Sequence, residues 1–359
     1  MSEKLFQLEK ILKYYSENEI YAENFPDHNV NYFTIYQAAL GRLNTAYYPH
    51  IGSGLSALSE ERGIYTSHNK DHFDDVVKYS GMLILGKDWE GDHVQLIKNG
   101  VGITPYELFI LLMAIRVHDA GNIYGRERHE ESCFKIIKDI SSLDGYEAKF
   151  IGDIASAHGG KIGEDKDKIS RLNEELVNCS ARFRPRLLAA ILRFADELCE
   201  TRKRTSKVLM EHIPRENQVY HKYSESIIYS SINHEPTRVQ IGYQIDEESA
   251  TALWGCENRT ENPGALGEVL LTSEIFDRLE KMDRERRYCN RFTREVYYIS
   301  SIRATLDIVS NENRDVVHEI KIPELQDAGY PEAGANALNA IKTQYNSIEK
   351  LKKHLKRNK

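Results

Sequence analysis

Six of the thirteen histidines in this 359-residue chain fall within residues 68–158: His68, His72, His93, His118, His129 and His158. His118 is followed directly by Asp119. Such a pair is weak alone, since 13 His and 19 Asp in 359 residues produce about 0.7 of them by chance. Its company carries more. His72 lies upstream on a predicted helix that continues with Val76 and Val77, His129 opens a later helix, and His158 ends another. Asp196 sits inside the apolar run Leu187–Leu198. A carboxylate inside an apolar helix is costly unless it is paired or bound to a cation. Neutral imidazoles together with carboxylates suit a first-row divalent ion such as Mn, Fe, Co, Ni or Zn. Asp119, beside His118, can bridge two ions.

The elements that must position these side chains are helical. Residues 66–200 read as almost entirely helix, preceded by helices over 2–20 and 33–48 and a glycine-containing loop over 51–62. Thr104-Pro105-Tyr106-Glu107 is a strong helix start: Thr104 caps, Pro105 suits the first helical position and Glu107 completes a capping box. That helix runs to His118-Asp119, where Gly121 can end it. Further helices are expected over 130–140, 146–157 and 185–198, the last apolar on nearly every side and therefore central. The character changes after about residue 203. Strands are expected over 226–232, 238–245, 302–309 and 316–322, with a long helix over 264–286. A linker over 324–334 leads to a last helix over 336–356.

The order His72, His118-Asp119, His129, His158, Asp196 resembles the HD-domain metal-dependent phosphohydrolases. The context is similar too: an apolar helix entering His-Asp-Ala-Gly, then Ile-Ala-Ser-Ala-His, then Leu-Arg-Phe-Ala-Asp-Glu. The resemblance covers about residues 64–203. It implies a helical metal-binding core, and with the patterns along the rest of the chain the expectation is a mostly α protein: a helical HD-domain core at 64–203, an N-terminal helical extension at 1–63 packing on it, and a smaller α+β C-terminal domain at 204–323, followed by a linker and helix at 324–359. It implies one or two divalent ions, of Mn, Fe, Ni, Co, Mg or Zn. The first would take His72, His118, Asp119 and Asp196, and the second Asp119, His129 and His158. A water or hydroxide between them would attack phosphorus in a nucleotide or cyclic nucleotide phosphoester, with Asp119 central to catalysis. His68, one helical turn before His72, would contact phosphate or act as general acid; the reverse assignment of these two histidines stays open. An HD core followed by strands, a long helix and further strands also resembles HD proteins of bacterial conflict and defence systems. The Gly-Tyr-Pro of cyclic-dinucleotide hydrolases occurs only at 329–331, outside the core.

Lys70, Arg126 and Lys161 lie near the proposed ligands in sequence and can hold phosphate oxygens. Arg128 is a further cation of this kind, and Arg193, three residues before Asp196, can instead pair with an acid. His93 reads as a surface loop residue. The balance of 48 Lys+Arg against 55 Asp+Glu, a net charge of −7, disfavours a large nucleic-acid-binding patch. A nuclease acting on single strands through a local groove, or a module that senses a nucleotide without turning it over, are the alternatives. Five widely spaced cysteines without a C-x-x-C pair argue against a disulfide framework. The longest apolar stretch, around Leu108–Val117, is interrupted by Arg116 and too short to span a membrane. With no signal-peptide pattern at Met-Ser-Glu-Lys, the expectation is a cytoplasmic protein without membrane partners, self-associating, if at all, through the C-terminal domain.

Overall fold

The computed structural model describes residues 4–52, 70–124, 129–202, 213–258, 265–327 and 337–357. The expected loop over 51–62 therefore lies mostly outside the described residues, as do His68, Arg126 and Arg128. Two compact units are present. Of the described residues, the first holds 4–52, 70–124, 129–199 and 288–298, and the second holds the remainder.

The first unit is helical. Its helices are α1 (Gln7–Glu17), α2 (Tyr32–Arg42), α3 (Tyr48–Gly52), α4 (Lys70–Leu85), α5 (His93–Asn99), α6 (Pro105–Val117), α7 (Cys133–Ile140), α8 (Gly145–Ser156) and α9 (Pro185–Leu198). The start of α6 follows from local chemistry. The Thr104 hydroxyl accepts from the Glu107 amide at 3.1 Å, and Glu107 Oε2 accepts from the Thr104 amide at 2.8 Å. Two amides that the helix cannot satisfy internally are thereby paired. All thirteen residues of α6 are buried, against eleven of fourteen in α9, so α6 is the central helix.

Such a helix can carry a charge only if its neighbours neutralise it, and Arg116 shows how. Its guanidinium donates to Glu9 on α1 at 2.8 Å, to Asp74 on α4 at 2.5 Å and to the Tyr36 hydroxyl on α2 at 2.8 Å. The Tyr48 hydroxyl of α3 donates to the Arg116 carbonyl at 2.7 Å. One buried cation thus ties three helices, α1, α2 and α4, to α6, and the Arg116 carbonyl holds a fourth, α3.

The reading of 66–200 as nearly all helix needs one correction. Leu176–Asn178 (β1) and Ala181–Phe183 (β2) form an antiparallel hairpin whose turn places Cys179 at φ +50°. Gly121 also plays a different part from the expected helix stop. The helix ends at Val117, and Gly121 lies in the following 3-10 turn Ala120–Tyr124, where a Cβ would overlap the carbonyl oxygen of His129. Its missing side chain lets the His129 segment close on the His118-Asp119 turn. His93 opens α5 rather than lying in a loop, with Asp92 as cap.

The second unit is α+β. Helix α10 (Gln218–Ser226) precedes β3 (Ile227–His234) and β4 (Thr237–Asp246), which pair antiparallel. After α11 (Glu247–Thr251), β5 (Leu253–Asn258) and β6 (Ala265–Leu270) form a separate two-stranded sheet. Helix α12 (Leu271–Thr293), whose residues from Tyr288 on belong to the first unit, then leads to β7 (Ser301–Val309), which pairs parallel to β4, and on to β8 (Val316–Ile320) and β9 (Leu325–Gln326). The parallel β4–β7 pair requires a long crossover, and α12 lies in it. The expected helix over 264–286 is thus a strand followed by a helix. The expected terminal helix is broken into α13 (Asn339–Gln344) and α14 (Ile348–Arg357). The fold is mostly α with a smaller α+β part.

Candidate metal centre

All six residues singled out as ligands lie at helix ends in the first unit. His72 is in the first turn of α4, and His118 caps the C-terminus of α6 with Asp119 next to it. His129 opens the 3-10 turn His129–Ser132, His158 lies two residues past α8, and Asp196 is in the last turn of α9. His72, His118, Asp119 and His158 are buried, and the Asp196 side chain is 26% exposed.

The donor atoms converge. His72 Nε2 lies 3.2 Å from His118 Nε2 and 3.3 Å from Asp196 Oδ1, and His118 Nε2 is 3.7 Å from the same oxygen. Asp119 divides its two oxygens. Oδ2 faces His72 Nε2 at 3.4 Å and His118 Nε2 at 3.7 Å. Oδ1 faces His129 Nε2 at 2.8 Å and His158 Nε2 at 3.3 Å. The two oxygens of the Asp119 carboxylate thus face two different pairs of histidines.

The tautomers follow from the surroundings. His118 Nδ1 lies 2.7 Å from the Ile115 carbonyl, and His158 Nδ1 lies 2.7 Å from the Ala155 carbonyl. A carbonyl only accepts, so in both rings Nδ1 carries a hydrogen. The Nε2 lone pair of a neutral ring is then directed into the cluster, the arrangement by which ligating histidines are oriented. Two imidazole nitrogens only 3.2 Å apart, with carboxylate oxygens beside them, call for a proton or a cation between them.

Charge leads to the same place. With the imidazoles neutral, Asp119 and Asp196 leave two negative charges in a buried site. Burial alone would lower His118, but the Asp119 and Asp196 carboxylates outweigh it and hold this histidine up to about 9. Burial works against both carboxylates, yet the surrounding histidines, His118 foremost, keep Asp119 and Asp196 well below the usual carboxylate range. His158 is lowered by burial. The site therefore favours positive charge. Ligands about 2.0–2.2 Å from a divalent ion stand roughly 3–3.5 Å apart, which matches the spacing here. Two ligand groupings, His72 with His118 and Asp196, and His118 with Asp119 and His158, fit a metal ion.

The cations proposed to hold phosphate are placed less uniformly. Lys70 is half-buried and pairs with Asp74 at 2.6 Å, two residues from His72. Lys161 is exposed and pairs with Glu164 at 3.6 Å. Arg193 stacks over the Tyr288 ring at 4.8 Å and donates to the Lys166 carbonyl at 3.4 Å. Sequence reasoning missed the support of His129. Glu130 is buried beside it, with Oε2 3.6 Å from His129 Nδ1, and Lys168 is buried against Glu130 Oε1 at 3.6 Å. The one sequence signal was the adjacency of Glu130 to His129; Lys168 lies in a polar stretch with no marker of burial.

No curated protein and no solved structure matches the chain. The model of a protein family described as HD-CE matches residues 63–262. That span is more than half of the chain and carries all six clustered residues, and the protein belongs to the HD-CE family, an HD-domain family.

Proposed function

We propose that the protein is a metal-dependent phosphohydrolase acting on a phosphoester of a nucleotide or cyclic nucleotide. The observation that carries this reading is the division of Asp119, one oxygen to His72 and His118 and the other to His129 and His158. His72, His118, Asp119 and Asp196 would hold one divalent ion, and Asp119, His129 and His158 a second. A divalent ion bound there supplies a lowered water pKa and positive charge for the phosphoryl oxygens. The protein's own part is orientation. The Ile115 and Ala155 carbonyls hold two rings with Nε2 inward, and the closely packed helix ends limit bulk water at the reacting phosphorus. Lys70, and Arg126 and Lys161 on the segments that follow Asp119 and His158, would grip phosphate oxygens. His68, four residues before His72 in the sequence, would protonate the leaving group or contact phosphate. We place this domain at 64–203, extended by residues 1–63, and assign any self-association to the C-terminal domain at 204–323, which a linker and helix at 324–359 follow. A place in a bacterial defence system is supported by the order of elements after the core, here strands, a strand pair, a long helix and strands.

The test is metal content and turnover of a nucleotide panel with Mn, Ni and Fe, comparing wild type with a His118→Ala/Asp119→Ala variant. Wild type is expected to retain metal and hydrolyse a panel member, and the variant to lose both. Equal metal content and activity would overturn the reading. Activity on oligonucleotides alone, falling steeply with salt, would identify a nuclease instead. Tight nucleotide binding without turnover under every metal would identify a sensor.

A further inference from the structure

His129 is supported differently from His118 and His158. Those two follow long helices and are backed by the carbonyl three residues earlier. His129 stands on a four-residue 3-10 turn, with its side chain 18% exposed and its Nδ1 facing Glu130 Oε2 at 3.6 Å. At that distance the contact is electrostatic rather than a hydrogen bond. Glu130 Oε1 in turn faces Lys168 Nζ at 3.6 Å. Both charged residues are buried, at 7% and 9% exposure.

The space they occupy is made for them. Gly160, two residues past His158, has φ +72°, and a Cβ there would overlap Glu130 Oε1 and stand 3.3 Å from Lys168 Nζ. The segment carrying Lys168 is itself clamped. The Tyr288 hydroxyl donates to Asp167 Oδ1 at 2.6 Å and accepts from the Ile169 amide at 3.1 Å. Arg186 donates to the Leu172 and Ser170 carbonyls at 2.8 and 3.0 Å. A buried ion pair is a poor source of stability, because desolvation offsets its attraction. Its geometric effect is the stronger reason to have one.

We propose that the Glu130–Lys168 pair is a positioning device for His129. Glu130 orients the imidazole toward Asp119, and Lys168 acts through Glu130 by fixing its carboxylate. The inference rests on the reading of His129 as a ligand of the second ion. Partners that orient a ligand in this way change metal affinity by about 10–100-fold when removed.

The experiment is a two-site calorimetric titration of the full chain with Mn²⁺. Lys168→Met is expected to weaken the second ion by about 10-fold or more and leave the first unchanged, with Lys168→Arg recovering wild-type binding. Should Lys168→Met fail to fold, Glu130→Gln/Lys168→Met, which removes both buried charges, is expected to show the same selective loss. A lower melting temperature with both affinities intact, in whichever variant folds, would overturn the proposal. So would a wild-type protein that binds one ion only. A wild-type protein that binds no Mn²⁺, Ni²⁺ or Fe²⁺ would instead overturn the phosphohydrolase reading itself.

Discussion

Arg116 offers the sharpest test of how the helical unit is held together. Its side chain is 2% exposed and that of Glu9 is 3% exposed. In Arg116→Met the methionine fills much of the same space, so packing loss is small. Asp74 keeps Lys70 at 2.6 Å and is 16% exposed, so it remains compensated. Glu9 does not. It keeps the Tyr36 hydroxyl at 2.5 Å and the Phe6 amide at 2.8 Å, but loses the Arg116 guanidinium, its cationic partner at 2.8 Å, in a buried place. Breaking a buried pair by removing one partner costs about 3–5 kcal/mol. With Glu9 still hydrogen-bonded, the lower figure applies, about 3 kcal/mol. For a unit of this size that corresponds to a fall of roughly 6–12 °C in melting temperature. Glu9→Gln in the same chain removes the stranded charge while keeping a hydrogen-bonding group. The double variant Glu9→Gln/Arg116→Met should therefore recover more than half of the loss. Thermal melts followed by circular dichroism, with a urea series as a second measure, check both numbers. Arg116→Met melting within 2 °C of wild type would refute the reasoning, as would a double variant no more stable than the single one.

Two further outcomes follow from the candidate metal centre and its surroundings. His118 is held up to about 9 against an ordinary 6.5, so its contribution to stability in metal-free protein is complete below pH 6.5 and lost as pH rises through about 9; Asp119 and Asp196, held low, contribute above pH 3.8 and lose this as pH falls further. Melting temperature in chelator should fall between pH 6.5 and 9 more steeply than in metal-loaded protein, and parallel curves would contradict the charge analysis. Gly121→Ala places a Cβ on the His129 carbonyl oxygen and is expected to cost about 2 kcal/mol and to weaken the second ion; unchanged melting and metal binding would show that the two segments do not need this close approach.

Much of the site was legible because its signals are local or ordered along the chain. The Thr104 capping box predicts where α6 begins, and the apolar run predicts that its end will be buried together with His118 and Asp119. Asp196 stands out because an acid in an apolar helix needs a partner wherever the helix goes. Other readings failed for an equally physical reason. Ala265–Leu270 has the composition of either a helix turn or a strand, and its pairing with Leu253–Asn258, in the register that sets Trp254 opposite Val269, makes it a strand. Leu176–Phe183 and the stretch around Lys168 carry no periodic apolar pattern at all.

Residue types and their order, by themselves, determined a helical core and singled out six of its side chains as candidate metal ligands. The tertiary structure decided how those side chains meet: which Asp119 oxygen serves which histidines, that Arg116 is neutralised by residues on α1, α2 and α4, and that Lys168 reaches Glu130 across 38 residues of chain. Helix caps and periodicity are set by neighbours a few positions apart, whereas the meeting of buried charges depends on packing between distant segments, where a carboxylate or ammonium is tolerated only if a partner from elsewhere arrives to neutralise it.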